Sequence, residues 1–257
     1  MSLLRLDGIT RRFGGLVAVD NVSLEIPAQH LSAIIGPNGA GKTTLFNMIA
    51  GFARPSAGRV HFDGDEITGL APEAIARRGL IRTFQLVQLF EGLTVLENVK
   101  VGCHLHTRGG LLAALLPTRA ARAEEALVES EARQLLAETN LEAQAETLAA
   151  ALPYGQKRLL EITRALAARP RLLLLDEPAA GLNRQETDLL AALLRRIVDS
   201  GTAILLIEHD MSLVMNVADE IAVLDFGRLI ARGKPDEVRR NSDVIAAYLG
   251  SAEVADA

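Results

Sequence analysis

The segment that most constrains the fold of this chain is a glycine-rich run that matches the pattern G-x-x-x-x-G-K-[ST] completely. The run follows one apolar stretch, 31–35, and precedes another, 45–50, so it lies between a predicted strand and a predicted helix. Glycines let the backbone approach a phosphate closely, and the N-terminus of the following helix attracts negative charge. The predicted phosphate-binding loop consists of Gly36, Pro37, Asn38, Gly39, Ala40, Gly41, Lys42, Thr43 and Thr44.

The lysine and the first threonine of this loop have separate predicted roles. Lys42 would reach the β- and γ-phosphates of a nucleoside triphosphate, and the hydroxyl of Thr43 would bind Mg²⁺. The alternative is a glycine-rich turn with a surface lysine. Because the strand, loop and helix occur in the required order, we predict that the chain binds a nucleoside triphosphate.

Size and charge narrow the class of protein. At 257 residues the chain is long enough for one large α/β domain, or for one domain with an insertion. The formal net charge of −5 and the isoelectric point of about 5.6 disfavour a nucleic-acid partner that is bound through bulk charge. The single cysteine, Cys103, excludes an internal disulfide, and we expect it to be a small buried residue in a reducing compartment.

The sequence predicts no targeting or membrane-spanning segment. The run Met1–Asp7 lacks the basic and apolar regions of a signal peptide. No apolar run approaches the roughly 18–20 residues that cross a bilayer. We therefore expect a soluble, cytoplasmic protein, which leaves docking on a membrane partner open.

The N-terminal part is predicted to contain antiparallel strands. Leu3–Leu6 and Val17–Ile26 are strand-like runs on either side of a glycine turn, and Asp63-Gly64 is a hairpin signal between two further short strands. From 93 to 168 the pattern changes to leucine, alanine and charge at helical spacing, most clearly in Arg119–Asn140. This segment is predicted to be a mostly helical insertion.

After the insertion, strands and helices alternate. Leu172–Leu175 and Ala203–Ile207 are short apolar runs, and each is followed by a helical pattern, which is typical of a parallel sheet. We therefore predict one domain over 1–257, with an α/β core in 1–92 and 169–250, a helical subdomain in 93–168 and a frayed tail in 251–257.

Two acids at the end of one predicted strand complete a nucleotide site. The apolar run that begins at Leu172 ends in Asp176 and Glu177. At the carboxyl edge of a parallel sheet, Asp176 would contact Mg²⁺, and Glu177 would orient or deprotonate the attacking water. Such a run is an ordinary strand end in many proteins, but its occurrence together with the phosphate loop favours the functional interpretation.

The order of these motifs resembles that of ATP-binding-cassette (ABC) ATPases. Five elements occur in the family's order, namely the phosphate loop, Gln85, a helix start at Gly155-Gln156, Asp176-Glu177 and His209. The likeness covers about residues 3–249. It implies a P-loop NTPase core with a mostly parallel sheet, an N-terminal antiparallel β subdomain and a helical subdomain insertion. It also implies that ATP and Mg²⁺ bind, and that two ATP molecules lie between the subunits of a head-to-tail dimer.

The resemblance assigns further residues of the site. Phe13 matches the aromatic residue that stacks on adenine, with a core phenylalanine at a strand end as the alternative. Gln85 matches the glutamine that joins Mg²⁺ and water to the interface with the membrane domain. His209 matches the histidine that contacts the γ-phosphate and positions Glu177, so Glu177, His209 and Lys42 are the predicted catalytic residues.

The signature segment departs from the usual Leu-Ser-Gly-Gly-Gln of the family. Pro153 and Tyr154 replace the usual serine and first glycine, so Gly155 and Gln156 would bind the γ-phosphate of an ATP on the opposite subunit. Asn183 replaces an aspartate in the loop that communicates across the dimer. These changes indicate either a weakened γ-phosphate site or a sequence variation that is usual in one subfamily.

Several runs resemble one subfamily, the ATP-binding subunits of branched-chain (hydrophobic) amino-acid uptake transporters, to which subunits for urea and amides are similar. The runs are Leu152–Gln156 with Arg158–Ile162, Ile81–Gln85, Ala180–Asn183, Ile207–Met211, Val223–Gly227 and Val244–Gly250. The resemblance implies two transmembrane permease subunits, a second ABC ATPase that is a sibling or a copy, and an extracytoplasmic substrate-binding protein. The chain would then be peripheral on the inner face of the cell membrane. The apolar segment 109–117 would pack within the helical subdomain or contact the membrane or permease.

Two other functions remain as alternatives. An export ATPase has a similar layout but is expected to keep two glycines in the signature, where this chain has Tyr154. A soluble ABC ATPase acting on nucleic acid or ribosomes is disfavoured by the single cassette and the acidic isoelectric point.

Overall fold

The structure is a computed structural model that describes residues 2–83, 88–104 and 119–255. Gln85 and the apolar segment 109–117 lie outside the described residues. The chain forms two compact units. The first comprises Met1–Arg82, Arg171–Ala180 and Thr187–Ala257, and the second comprises Thr83–Pro170 and Gly181–Glu186. The second unit begins before the boundary predicted at 93.

The elements follow one another in the predicted order. The strands are β1 (Ser2–Phe13), β2 (Leu16–Pro27), β3 (Leu31–Ile35), β4 (Ala57–Phe62), β5 (Asp65–Glu66), β6 (Leu80–Arg82), β7 (Leu172–Asp176), β8 (Ala203–Ile207), β9 (Glu220–Asp225) and β10 (Arg228–Gly233). The α-helices are α1 (Lys42–Ile49), α2 (Pro72–Ala76), α3 (Val95–Cys103), α4 (Arg119–Glu138), α5 (Tyr154–Ala167), α6 (Arg184–Asp199), α7 (Met211–Val217), α8 (Pro235–Arg239) and α9 (Ser242–Ala255).

An antiparallel sheet in the first unit has the strand order β2-β1-β4-β5. The predicted antiparallel pairing of the first two strands is confirmed, and both strands are longer than predicted. The hairpin at Asp63-Gly64 is confirmed as well, with Phe62 opposite Asp65. Asp63 and Gly64 have φ values of 54° and 88°, which is the backbone of the two-residue turn that fits the twist of a hairpin.

The second sheet of this unit has the order β10-β9-β3-β8-β7-β6 and is mostly parallel, as predicted. Every residue of β3, β7 and β8 is buried, which explains their continuous apolar sequences. Ile207 of β8 lies opposite both Ile34 of β3 and Asp176 of β7. The carboxyl ends of these three strands therefore lie side by side at one edge of the sheet.

The second unit is mainly helical, in agreement with the predicted insertion. Helix α3 begins with a capping box, in which the hydroxyl of Thr94 accepts from the Glu97 N–H and the Glu97 carboxylate accepts from the Thr94 N–H. Apolar faces of α3, α4 and α5 form one core, which includes Val99, Leu136 and Leu160. Cys103 lies in this core, so its predicted burial is confirmed.

We expect the Cys103 thiol to be inert in the folded chain. Burial and the negative charge of Glu131 raise its pKa to about 11. The thiolate is the reactive form, so at pH 8 the native thiol should react at least roughly 100-fold more slowly than the thiol of the unfolded chain. Ellman's reagent with and without guanidinium measures this ratio, and Cys103→Ala supplies the blank. Equal rates in the two states would contradict the burial.

Helix α9 continues to Ala255 and so covers most of the segment 251–257 that was predicted as a tail. Neither glycine nor proline interrupts 251–255, and alanine and glutamate there are good helix formers. The Asn241 side chain begins this helix by accepting from the N–H groups of Asp243 at 2.8 Å and Val244 at 3.3 Å. In the part of the chain that the structure describes, no helix is long and apolar enough to cross a membrane.

Candidate nucleotide-binding site

The phosphate loop joins β3 to α1 and fits tightly against its neighbours. A side chain at Gly36 would overlap the carbonyl oxygen of Leu224, and one at Gly41 would overlap that of Ala18. Gly41 also has a φ of 98°, and no side chain caps α1. No side chain therefore binds the first N–H groups of α1, which is the local geometry that the motif predicts for an anion site.

Lys42 crosses the loop and is buried. Its Nζ donates to the carbonyl oxygens of Gly36 at 2.7 Å and Pro37 at 2.9 Å. Burial lowers the pKa of Lys42, whereas the negative charges of Glu177 and Asp176 act to raise it. The predicted lysine and the two predicted acids are therefore close enough for their charges to interact.

Asp176 makes a buried ion pair that the sequence did not indicate. Nη2 of Arg82, on the neighbouring strand β6, lies 2.8 Å from Oδ2 of Asp176. Nη1 of Arg82 donates to Oδ1 of Asn47, in α1, at 2.6 Å. The sequence signal that could have indicated this ion pair is a single basic residue at the end of an apolar strand. Arg82 thereby connects the Asp176 carboxylate to the helix that follows the phosphate loop.

Two of the predicted Mg²⁺ ligands carry oxygen atoms of the kind that this ion prefers. Thr43 is exposed in the first turn of α1, and the Asp176 carboxylate is close enough to influence Lys42 in the same loop. A hydroxyl and a carboxylate are hard oxygen donors, which suit Mg²⁺. Two of the three predicted ligands therefore fit this ion, and the third, Gln85, is outside the described residues.

Glu177 and His209 form a hydrogen-bonded pair. Nε2 of His209 lies 2.7 Å from Oε1 of Glu177, and their side chains are 43% and 18% exposed. Glu177 has a φ of 49°, which lies in the left-handed region that residues other than glycine rarely adopt. Its N–H donates to the carbonyl oxygen of Ile207 at 2.9 Å, which holds the residue in that conformation. The pair that the resemblance implied is thus assembled at the edge of the sheet.

Glu208, beside this pair, lies in the subfamily-like run Ile207–Met211, but sequence reasoning assigned it no role. Its side chain is buried, and the residue is only 3% exposed. The carboxylate accepts hydrogen bonds from the N–H groups of Ala179, His209 and Asp210. Burial raises the pKa of Glu208, and these three donors counteract the rise. An acid placed directly after an all-apolar strand was the signal that could have identified it.

Phe13 ends β1 and is 48% exposed. The alternative of a core phenylalanine is therefore wrong. The guanidinium of Arg11 lies 4.5 Å from the centre of the ring. About half of the residue is thus exposed, and a cation lies over one face of its ring.

Tyr248 of α9 reaches the phosphate loop. Its hydroxyl accepts a hydrogen bond from the backbone N–H of Gly36, and burial raises its pKa. Sequence reasoning had placed Tyr248 in a subfamily-like tail without assigning it a role. The contact links the C-terminal helix to the first glycine of the loop.

The signature segment lies in the second unit and opens α5. The helix begins at Tyr154, beside the predicted start at Gly155-Gln156, and Pro153 is its N-cap without a capping side chain. Gly155 and Gln156 therefore lie in the first turn, where backbone N–H groups point out of the helix. A side chain at Gly155 would overlap the carboxylate of Glu186.

Two of the three departing residues, Asn183 and Tyr154, have structural explanations. Asn183 and Glu186 cap α6 reciprocally, since the Glu186 carboxylate accepts from the Asn183 N–H at 2.9 Å and the Asn183 side chain accepts from the Glu186 N–H at 3.1 Å. The Tyr154 ring packs at Gly181, where an added Cβ would lie 3.0 Å from it. Both unusual residues therefore support the loop at 181–183.

Known protein families and individual proteins are similar to this chain in sequence. Residues 19–180 match the ABC transporter family, and residues 228–254 match the family described as branched-chain amino acid ATP-binding cassette transporter. The chain is 48% identical to the high-affinity branched-chain amino acid transport ATP-binding protein BraF of Pseudomonas aeruginosa, over 97% of this chain and 98% of that protein. It is 45% identical to LivG of Escherichia coli K12, which carries the same description, over the same shares of the two chains.

Solved structures share the fold. An ATP-binding cassette of an ABC transporter in its ADP conformation has a TM-score of 0.85 and 33% identity, over 97% of this chain and 99% of that one. A bacterial ABC transporter cassette described as dimeric has a TM-score of 0.76 and 26% identity, over 90% and 98%. The chain therefore belongs to the ABC transporter family. Within it, the chain is an ATP-binding cassette ATPase, as its motifs predicted.

Proposed function

We propose that this chain is the ATP-binding and hydrolysing subunit of an ABC importer that takes up branched-chain, hydrophobic amino acids. The observation that carries the proposal is the match of residues 228–254 to the branched-chain amino acid cassette family. The identity to BraF and LivG over nearly the whole chain supports it, because both are described as high-affinity branched-chain amino acid transport proteins.

In this proposal the phosphate loop binds ATP, with Lys42 on the β- and γ-phosphates and Phe13 stacked on adenine. Thr43, Asp176 and Gln85 would hold Mg²⁺. When bound there, the ion would neutralise charge that develops on the phosphates. The supporting geometry is the burial of Lys42 beside two carboxylates and the exposure of the Phe13 ring.

Hydrolysis is assigned to the Glu177–His209 pair. Glu177 accepts a proton from the water that attacks the γ-phosphorus, and the bond to the β-phosphate oxygen breaks to release ADP and phosphate. His209 holds Glu177 and contacts the γ-phosphate. The distance of 2.7 Å between the two side chains supports this assignment.

The assembly includes a second cassette in a head-to-tail dimer. Gly155 and Gln156 bind the γ-phosphate of the ATP held by the partner, for which an uncapped helix N-terminus is suited. The dimeric bacterial cassette of the same fold supports the pairing. Two transmembrane permeases and an extracytoplasmic binding protein complete the importer, and this chain lies on the inner face of the cell membrane.

Uptake in the strain that encodes the chain tests the proposal. Deletion of its gene is expected to abolish uptake of labelled leucine, isoleucine and valine, and the wild-type gene is expected to restore it where the Glu177→Gln gene does not. Labelled urea, offered to the same strains, distinguishes the amide importers. Loss of urea uptake with intact leucine uptake would contradict the substrate class.

Affinity purification of the tagged chain in mild detergent with ATP should recover two permeases and a second cassette.

A further inference from the structure

The carboxylate of Glu208 joins the two segments that carry the Glu177–His209 pair. Strands β7 and β8 are parallel neighbours, with Asp176 opposite Ile207. Glu177 follows the first strand and Glu208 follows the second, so the two acids leave the sheet side by side. Sequence motifs account for Glu177 and His209 but not for the buried acid between the strand and the histidine.

Each oxygen of this carboxylate serves a different segment. Oε1 accepts from the N–H of Ala179, two residues after Glu177, at 2.7 Å. Oε2 accepts from the N–H groups of His209 at 2.9 Å and Asp210 at 3.2 Å. All three partners are donors, and an ionised carboxylate is an acceptor only, so the site is matched to a charged Glu208.

The positions of the pair depend on these two backbone segments. The His209 side chain is 43% exposed, so core packing does not fix the ring. Glu177 is in a left-handed conformation that its surroundings must maintain. Asp210, whose N–H also reaches Glu208, caps α7 by accepting from the Ser212 N–H at 2.8 Å. The segment after β8 is therefore held from both sides, with Glu208 at its start.

We propose that Glu208 is a positioning residue for hydrolysis. By binding both segments, its carboxylate sets the distance between Glu177 and His209. The inference rests on the catalytic role proposed for that pair. A glutamine at this position would have the same shape, but it would place an amide donor against one of the two sets of N–H donors, so one segment would be released.

A matched control exists at the opposite edge of the same sheet. The Asp219 carboxylate also supports a backbone N–H, since Oδ2 accepts from Leu31 at 2.8 Å, and Oδ1 accepts from Arg195 at 2.9 Å. Asp219→Asn therefore weakens a comparable support near the amino ends of the strands. A general loss of stability should affect both variants, whereas a positioning effect should affect only Glu208.

The first measurement is steady-state ATPase activity of Glu208→Gln, Glu208→Asp and Asp219→Asn, with thermal unfolding recorded for each. For Glu208→Gln we expect kcat to fall roughly 10- to 100-fold while KM for ATP changes less than about threefold. Glu208→Asp, which keeps the charge, should retain more of kcat, and it provides the test if the glutamine variant does not fold. Asp219→Asn should keep kcat within about twofold. An unchanged kcat in Glu208→Gln, or an equal fall in Asp219→Asn, would overturn the inference.

The second measurement places Glu208→Gln in a Glu177→Gln/His209→Ala background, in which the pair that Glu208 would position is absent. If Glu208 acts through the pair, its substitution should lower single-turnover hydrolysis there by less than about twofold. A full 10- to 100-fold further loss would show an independent effect and refute positioning. Failure of the two proposals is distinguishable. Parental turnover in Glu177→Gln removes the proposed site, whereas loss of turnover in Glu177→Gln with normal turnover in Glu208→Gln removes only the role of Glu208.

Discussion

We expect Glu177→Gln to bind ATP and to lose turnover by about 100-fold or more, because glutamine cannot accept the proton of the attacking water. The substitution keeps the size of the side chain and one oxygen that can contact His209. The carboxylate is only partly exposed and lies 2.7 Å from the histidine, so the backbone should change little. ATP that binds without being hydrolysed should hold two cassettes together.

Two assays check this result. Phosphate release gives turnover, and light scattering after gel filtration with ATP gives the fraction of dimer. Glu220→Gln is the matched control, because its carboxylate pairs with Arg232 at 2.8 Å where β9 begins, away from the carboxyl ends of the strands. Its turnover should equal that of the parent. A Glu177→Gln variant that hydrolyses ATP at the parental rate would remove Glu177 from the mechanism.

The second large effect is expected from Lys42→Ala. In the structure the Lys42 ammonium donates to two carbonyl oxygens of its own loop. The phosphates of ATP would replace these neutral acceptors by charged ones, which bind a cation more strongly. Without the ammonium we expect turnover to fall roughly 100- to 1000-fold, as for loss of one preorganised donor at a developing charge, together with weaker ATP binding.

A fluorescent ATP analogue measures binding, and phosphate release measures turnover. Lys234→Ala is the control, because Lys234 is an exposed lysine that precedes α8. Circular dichroism of both variants shows whether the loop folds without the Lys42 side chain. Parental turnover in Lys42→Ala would refute the assignment of the phosphate loop.

The sequence predicted those parts of the site that depend on local pattern. The glycines, Lys42 and Thr43 belong to one short motif between a strand and a helix. Asp176 and Glu177 could be placed because an all-apolar strand ends there. The parallel order of the sheet followed from alternating apolar runs. In each case the residues that determine the structure are close together in the chain.

Interactions between distant residues could not be predicted in the same way. The Arg82–Asp176 ion pair joins strands that are far apart in sequence, and its existence depends on which strand borders β7. Glu208 was missed because the N–H of Ala179 reaches it only through the register of β7 and β8. The contact of Tyr248 with Gly36 depends likewise on the path of the C-terminal helix. No periodicity or motif in a single sequence specifies these pairings.

At Glu177 the left-handed backbone conformation lowers the stability of the fold, whereas the proposed activity requires the carboxylate of the same residue. A side chain in that region costs about 1–3 kcal/mol, which glycine would not incur. Selection for a more robust fold alone would therefore favour glycine at this position, and the chain keeps an acid instead. Engineers who raise the melting temperature of this cassette from sequence statistics or stability scores should leave position 177 unchanged, since relief of the strain would remove the carboxylate that the site holds.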